Sequence, residues 1–358
     1  MENRYMLKGL KVIDLSSVLA GPSVGTFFAE LGASVVKIEH PVHKDVTRTW
    51  KLPGEDPHSE ISAYFASVNF RKDYLFLDLM KEEDYLCFLN LIAEADILIM
   101  NFKKGDDIKL RVQDDHLHSI NPRLIIGKIN GYGEESDRVA YDLVLQGESG
   151  FMSINGTQDS GPVKMPVALI DVLAAHHLKE AILLALYHRE KNGKGRVVSV
   201  SLYDAAVSSL VNQASNYLMT GQVPQRIGSL HPNIAPYGEL FQTSDGALIV
   251  LAIGSDRHFV KLCNILGLKD LPGKDEFRHN QNRVRNREQL AALIAEQTEK
   301  LQSSELLEML HRENIPAGKI MDLKDVFDNE RAKSLIRKEV IDDVPTARVT
   351  SVVFKQTL

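Results

Sequence analysis

The sequence predicts an α/β protein, a doubly wound parallel sheet joined to a second, smaller unit, and three observations carry that reading. Short apolar runs alternate with helical stretches over the first 130 residues, with short connections between them. A stretch bearing three prolines, 221–236, then interrupts the chain. The composition, 44% apolar and 25% charged over 358 residues, is that of an ordinary globular protein of about two domains. Disorder and coiled coil are thereby excluded as the main organisation.

The elements follow in order. Lys11 to Leu15 is a short apolar run that reads as a buried strand. Val24 to Leu31 has helical periodicity and ends at Gly32, a C-cap residue. Ser34 to Glu39 is the next strand, which completes a β-α-β unit. Tyr74–Leu79, Ile97–Met100 and Leu124–Ile129 are further strands, with a helix over Lys81–Ala95 between the first two. After a Gly-rich segment a helix runs from Asp171 to about Glu190. It is apolar nearly all round, so it is expected to be buried, and Asn192-Gly193-Lys194-Gly195 stops it. Arg196–Leu202 reads as a strand and Asp204–Thr220 as a helix. The second unit begins at Tyr237 with a strand pair turning at Ser244-Asp245-Gly246. Helices over about 256–266, 287–301 and 303–313 follow, and the tail from Pro316 returns to short strand-like runs.

Charge and composition narrow the partners. Lys plus Arg total 42 against 48 acidic residues, a net charge of −6 that gives no electrostatic footprint for nucleic acid. No segment has signal-peptide or membrane-spanning character, so a cytoplasmic protein without membrane contact is expected. Two cysteines exclude a disulfide framework and a Cys-based zinc site. Cys87 and Cys263 both lie in apolar helical patterns and read as small buried hydrophobes. The adjacent His176 and His177 point about 100° apart on a helix, so no metal site is expected there. Ala20-Gly21-Pro22-Ser23-Val24-Gly25 fails the dinucleotide fingerprint despite Glu39 at the end of the second strand. No P-loop and no G-x-S-x-G elbow is present.

Asp171 stands apart. It precedes the most apolar helix, where it reads as an N-cap worth about 1 kcal/mol. The same place suits a nucleophile: the helix dipole is expected to keep the carboxylate ionised, and nearby N–H groups suit a developing oxyanion. Residue type and spacing leave both roles open.

From about Leu10 to Phe327 the chain resembles the class III CoA-transferases, a family that also contains α-methylacyl-CoA racemases. The resemblance rests on ordered short motifs: Leu19-Ala20-Gly21-Pro22, Glu30 to Glu39, Asp45-Val46-Thr47-Arg48, Leu77-Asp78-Leu79 and Asn101-Phe102. Further along come Gly131-Tyr132-Gly133, Tyr141-Asp142, Gly193-Lys194-Gly195 and Ala235-Pro236-Tyr237. It implies that Asp171 is the catalytic nucleophile, which exchanges CoA between acids through an aspartyl anhydride and an aspartyl-CoA thioester. The racemase branch pairs this aspartate with a histidine 30 residues earlier. Here that position is Tyr141, whose ordinary pKa near 10 unsuits it as a base at neutral pH. Tyr141 resembles the tyrosine of the transferase branch, a lining or hydrogen-bonding residue. A racemase, or a CoA-binding homologue without turnover, remains the alternative.

The resemblance also implies that CoA is a substrate rather than a resident cofactor, with a small carboxylic acid as the other. Arg48, Lys72, Asn101, Phe102 and Lys109 match the family's CoA contacts, and no metal is implied. Departures occur beside them, in Asn69-Phe70-Arg71-Lys72 and in Asn101-Phe102-Lys103-Lys104-Gly105. The implied architecture is a Rossmann-like large domain (1–205 plus 316–358), a linker (206–236) and a smaller inserted α+β domain (237–315). Family members form interlocked homodimers, with the active site at the domain and subunit interface.

Overall fold

The computed structural model describes residues 6–355. The chain divides into two compact units. The first comprises residues up to 152, 164–223 and 333 onward, and the second comprises 153–163 and 224–332. The second unit thus begins earlier than 237, ends later than 315, and takes in a short stretch of the Gly-rich segment. Residues 206–223, expected in the linker, belong to the first.

The first unit opens with β1 (Lys11–Asp14), α1 (Ala20–Glu30) and β2 (Ser34–Glu39). A 3-10 turn (Val46–Thr49), α2 (Ala63–Ser67), β3 (Asp73–Phe76), α3 (Glu82–Glu94) and β4 (Ile97–Met100) follow. Then come α4 (Asp106–Lys109), α5 (Asp114–Ile120), β5 (Ile125–Asn130), α6 (Asp142–Glu148), α7 (Phe151–Ile154, its last two residues assigned to the second unit), α8 (Leu169–Asn192), β6 (Val197–Ser201), α9 (Leu202–Ser208) and α10 (Val211–Thr220). The six strands form one parallel sheet in the order β3-β2-β1-β4-β5-β6. This is the dinucleotide-fold order, and its direction reverses between β1 and β4. Every residue of β4 is buried, because helices cover both faces: Ile97 and Ile99 join the core under α1 and α8, Leu98 and Met100 the core under α3.

The glycines that fail the nucleotide fingerprint serve packing. A Cβ on Gly25 would lie 2.9 Å from Asp14 Oδ2, and one on Gly21 would overlap the Ser16 side chain. Both let α1 close against the carboxyl end of β1. Pro22 sits in the first turn of α1, where a missing N–H is tolerated.

Four local expectations change. Asp171 is not the N-cap of α8: the helix starts two residues earlier and Ala168 holds that position. Nor is α8 buried all round, since Leu183, Leu184 and Tyr187 are exposed. The helix expected over 204–220 breaks in two. The hydroxyls of Ser208 and Ser209 both donate to the Ala205 carbonyl and compete with the helix ladder, and Val211 takes a left-handed φ of 43°. Cys263 is buried, but Cys87 lies on the exposed side of α3.

The second unit holds β7 (Tyr237–Gln242), β8 (Leu248–Ala252), α11 (Asp256–Ile265), α12 (Asn280–Arg285), α13 (Arg287–Thr298), α14 (Ser303–Arg312), β9 (Ala317–Lys319) and α15 (Leu323–Asp328); α16 (Glu330–Lys333) lies at its end. Its three-stranded antiparallel sheet, β7-β8-β9, packs on a core that includes Phe241, Ile249, Phe259 and Leu290. Thr243 N–H bonds the Ala247 carbonyl across the expected turn, with Gly246 at φ 77°. The tail forms a hairpin, β10 (Ile336–Ile341) and β11 (Val344–Val349), closed by Asp342 and Asp343 at φ 48° and 62°, the signs a two-residue hairpin turn requires. Ile341 packs with Ile61, Phe65 and Ala66 of the first unit.

Candidate active site

Two features of the first unit bear on chemistry. One is the start of α8. Leu169 N–H bonds the Val167 carbonyl, and Ile170 N–H donates to Asp142 Oδ1 at 2.8 Å, so a side chain from α6 caps α8. Asp142 Oδ2 accepts from Gln146 Nε2 (2.6 Å), and the fully buried Gln146 accepts the Met165 N–H through Oε1 (2.7 Å). Asp171, the third residue of α8, is 8% exposed. Among the described residues its carboxylate has no hydrogen-bond or ion-pair partner.

Burial, and then the negative charge of Asp142, raise the Asp171 pKa to about 7. The expectation that the helix dipole keeps this group ionised is therefore overturned. A dipole contributes about 0.3–1 kcal/mol, less than desolvation of a carboxylate. Tyr64, on α2, is pushed up to about 12 by burial and by the charges of Asp171, Asp142 and Asp45. Tyr141 is the N-cap residue of α6, half exposed, and adjoins the Asp142 that reaches α8.

The other feature is a cavity of about 610 Å³ at the carboxyl ends of β1, β2 and β3, beside the point where strand order reverses. Ligands of open α/β sheets bind in this place. Its wall includes Leu15 to Ser17, Glu39, His40, His43, Lys44, Leu77 to Met80, Phe102 and Lys109. Lys44 is paired with Glu60, whereas Lys109 has no acidic partner among the described residues. His40 Nδ1 accepts the N–H groups of Val42 and His43, which fixes the remaining proton on Nε2, 3.7 Å from Asp78.

The five residues matched to CoA contacts divide. Phe102 and Lys109 line the cavity. Asn101 clasps the switch point: its amide accepts from Ser17 N–H (3.0 Å) and donates to Ser17 O (2.8 Å), joining the loops after β1 and β4. Lys72 and Arg48 are held in the interior by acids. Lys72 Nζ is sealed from solvent among Asp14 Oδ2 (2.7 Å), Pro22 O (2.8 Å), Asn69 Oδ1 (2.8 Å) and Val68 O (3.0 Å). Three ammonium protons facing four acceptors leave nothing for a phosphate. Arg48 is 4% exposed, forked onto Glu39 (2.6 and 2.9 Å) and stacked 3.9 Å over the Phe65 ring. Both brace the carboxyl ends of β1 and β2.

Sequence reasoning missed Asp142, Tyr64 and the cavity residues His40, His43 and Met80. The available signal was positional: His40 and Leu77 directly follow the ends of β2 and β3, where this fold binds ligands. Among the described residues no helix is long and apolar enough to cross a membrane.

The parallel sheet, the cavity at its switch point and, among the described residues, an unpartnered carboxylate at a helix start define an α/β protein with a ligand-sized cavity at the carboxyl ends of its strands. The profile of CoA-transferase family III matches residues 7–356, and the chain belongs to that family of enzymes. It is 37% identical over 327 residues to succinate–glutarate CoA-transferase of Agrobacterium fabrum, covering 90% of this chain and 81% of the relative. To human succinyl-CoA:glutarate CoA-transferase it is 32% identical over 330 residues, 91% and 74% of the two chains. A crystal structure of a CaiB/BaiF family protein from Brucella suis superposes with a TM-score of 0.83 at 37% identity, over 98% of this chain and 93% of that one.

Proposed function

We propose that this enzyme moves CoA from an acyl-CoA to a carboxylic acid with Asp171 as the covalent nucleophile. The observation that carries the reading is the Asp171 carboxylate itself: at the start of α8, without a hydrogen-bond or ion-pair partner among the described residues, and basic enough at about pH 7 to be a good nucleophile once ionised. Ionised Asp171 attacks the thioester carbonyl of the donor, and CoA leaves as thiolate from a mixed anhydride. The thiolate attacks the aspartyl carbonyl, releasing the donor acid and leaving an aspartyl-CoA thioester. The acceptor carboxylate attacks that thioester and expels the thiolate. Thiolate attack on the acceptor carbonyl of the second anhydride yields the new acyl-CoA and restores Asp171.

The cavity at the sheet switch point holds the nucleotide of CoA, with Phe102 against the base and Lys109 and His40 near its phosphates. Tyr141 lines the acyl site. Its position beside Asp142, and its phenol in place of an imidazole, favour transfer over racemisation. The names of the relatives make succinate and glutarate the first acids to try. The enzyme works as a homodimer, a reading supported by the exposed Leu183, Leu184 and Tyr187 on α8 and Leu218 and Met219 on α10.

Intact mass spectrometry after incubation with succinyl-CoA is expected to show a CoA adduct that maps to the peptide bearing Asp171. Asp171→Ala is expected to abolish both adduct and transfer, a loss on the order of 10³-fold or more. Transfer that survives unchanged in Asp171→Ala would sink the mechanism.

A further inference from the structure

We propose that Asp142 is a positioning residue for Asp171: from α6 its carboxylate caps the first turn of α8 at Ile170, the residue before Asp171, where the N-cap Ala168 has no side-chain oxygen to do so. The inference rests on the reading of Asp171 as nucleophile and adds to it the residue that holds it ready. The N-cap residue of a helix ordinarily spends a side-chain oxygen on the free N–H groups of the first turn, and Ala168, the N-cap of α8, has none. In this chain Asp142 Oδ1 takes the Ile170 N–H at 2.8 Å, and Asp171 accepts no hydrogen bond from any described residue. The cap is itself braced. Asp142 Oδ2 is held by Gln146 one turn along α6, and Gln146 in turn holds Met165, in the segment that leads into α8.

Asp142 also supplies charge. Like charges at short range disfavour joint ionisation, so Asp142 adds to burial in keeping the Asp171 proton to higher pH. Among the described residues the charge of the Asp142 carboxylate from α6 acts on Asp171, and that of Asp171 acts in turn on the Tyr64 phenol from α2. The charges on other elements packed against α8 are engaged elsewhere or exposed. Glu30 of α1 is bound by Arg348, Thr350 and the 351–352 backbone, Lys128 of β5 pairs with Asp114, and Asp204 of α9 faces solvent. Asp171 has no ion-pair cation among the described residues.

The test separates cap from charge. Asp142→Asn retains an oxygen for the Ile170 N–H and removes the charge. The acid limb of kcat/KM is expected to move down by about one pH unit. Carboxyl ¹³C NMR on aspartate-labelled protein, with the Asp171 signal assigned by its absence in Asp171→Asn, is expected to show the Asp171 midpoint moving down equally. A residue of purely structural importance would lower activity at every pH without moving either midpoint. An unmoved midpoint in a folded Asp142→Asn protein therefore overturns the proposal. Should that variant not fold, Asp142→Ser, an uncharged capping side chain, is read by the same two results. The adduct experiment keeps the two readings apart. No CoA on Asp171 in the wild-type enzyme defeats the nucleophile reading, whereas an adduct with an unmoved midpoint defeats only the role of Asp142.

Discussion

Asp14 and Asp171 are both buried carboxylates of the same unit, 0% and 8% exposed, and they titrate in opposite directions. Burial works against ionisation at both. At Asp14 the ammoniums of Lys72, 2.7 Å away, and Lys37 outweigh it and hold the carboxyl below its ordinary value. At Asp171 the charge that acts with burial is another negative one, that of Asp142, and the pKa climbs to about 7. The difference teaches that the partner, rather than depth, decides what a buried acid is for. A paired one fixes the carboxyl end of β1 to α1 and the 69–72 turn. One without a partner among the described residues keeps its proton to higher pH.

Three changes sharpen or break that contrast, in order of effect. Lys72→Met leaves Asp14 buried without its ammonium, and denaturant unfolding is expected to show a loss of about 3–5 kcal/mol. Near-wild-type stability combined with a raised KM for acyl-CoA would instead return Lys72 to the CoA site. Asp171→Asn should act the other way and stabilise the fold. A carboxyl whose folded pKa is raised costs nothing below its unfolded value, loses stability as pH climbs from 3.8 to about 7, and carries the full cost above that. The gain is expected to reach up to about 4 kcal/mol at pH 8 and to shrink by more than half at pH 5, by unfolding at both pH values. A gain equal at both would mean that Asp171 is not the group titrating. The smallest effect belongs to the cavity. Lys109→Ala is expected to raise KM for acyl-CoA about threefold at low ionic strength, with kcat unchanged and the gap closing in high salt. A KM indifferent to both would place the CoA phosphates away from Lys109.

The same contrast runs through what could be read from residues alone. β4 was legible because Ile97 to Met100 is apolar without interruption, as a strand covered on both faces must be, and β1 and β2 because the connections through α1 are short. Asp171 was legible as a residue of interest through its place before an apolar helix, and through resemblance. Its chemistry was not, because burial, the larger cause of its shift, and Asp142, the charge 29 positions earlier that adds to it, depend on how the elements pack. The acid partners of Arg48 and Lys72 were not legible for the same reason. A basic residue in a motif looks identical whether it faces a phosphate or a buried carboxylate, and the acids that claim these two stand on β1 and β2.

What the sequence by itself determined is whatever depends on neighbours along the chain: the alternation of strands and helices, the stop at Gly193, the turn at Gly246, and the motif series that marks CoA-transferase family III. What only the tertiary structure decided is which charges meet. Coulombic and desolvation effects depend on distance and burial in space, so they separated the paired Asp14 from the unpaired Asp171. They also moved Lys72 and Arg48 from the expected nucleotide site into the interior and opened the cavity beside Phe102 and Lys109.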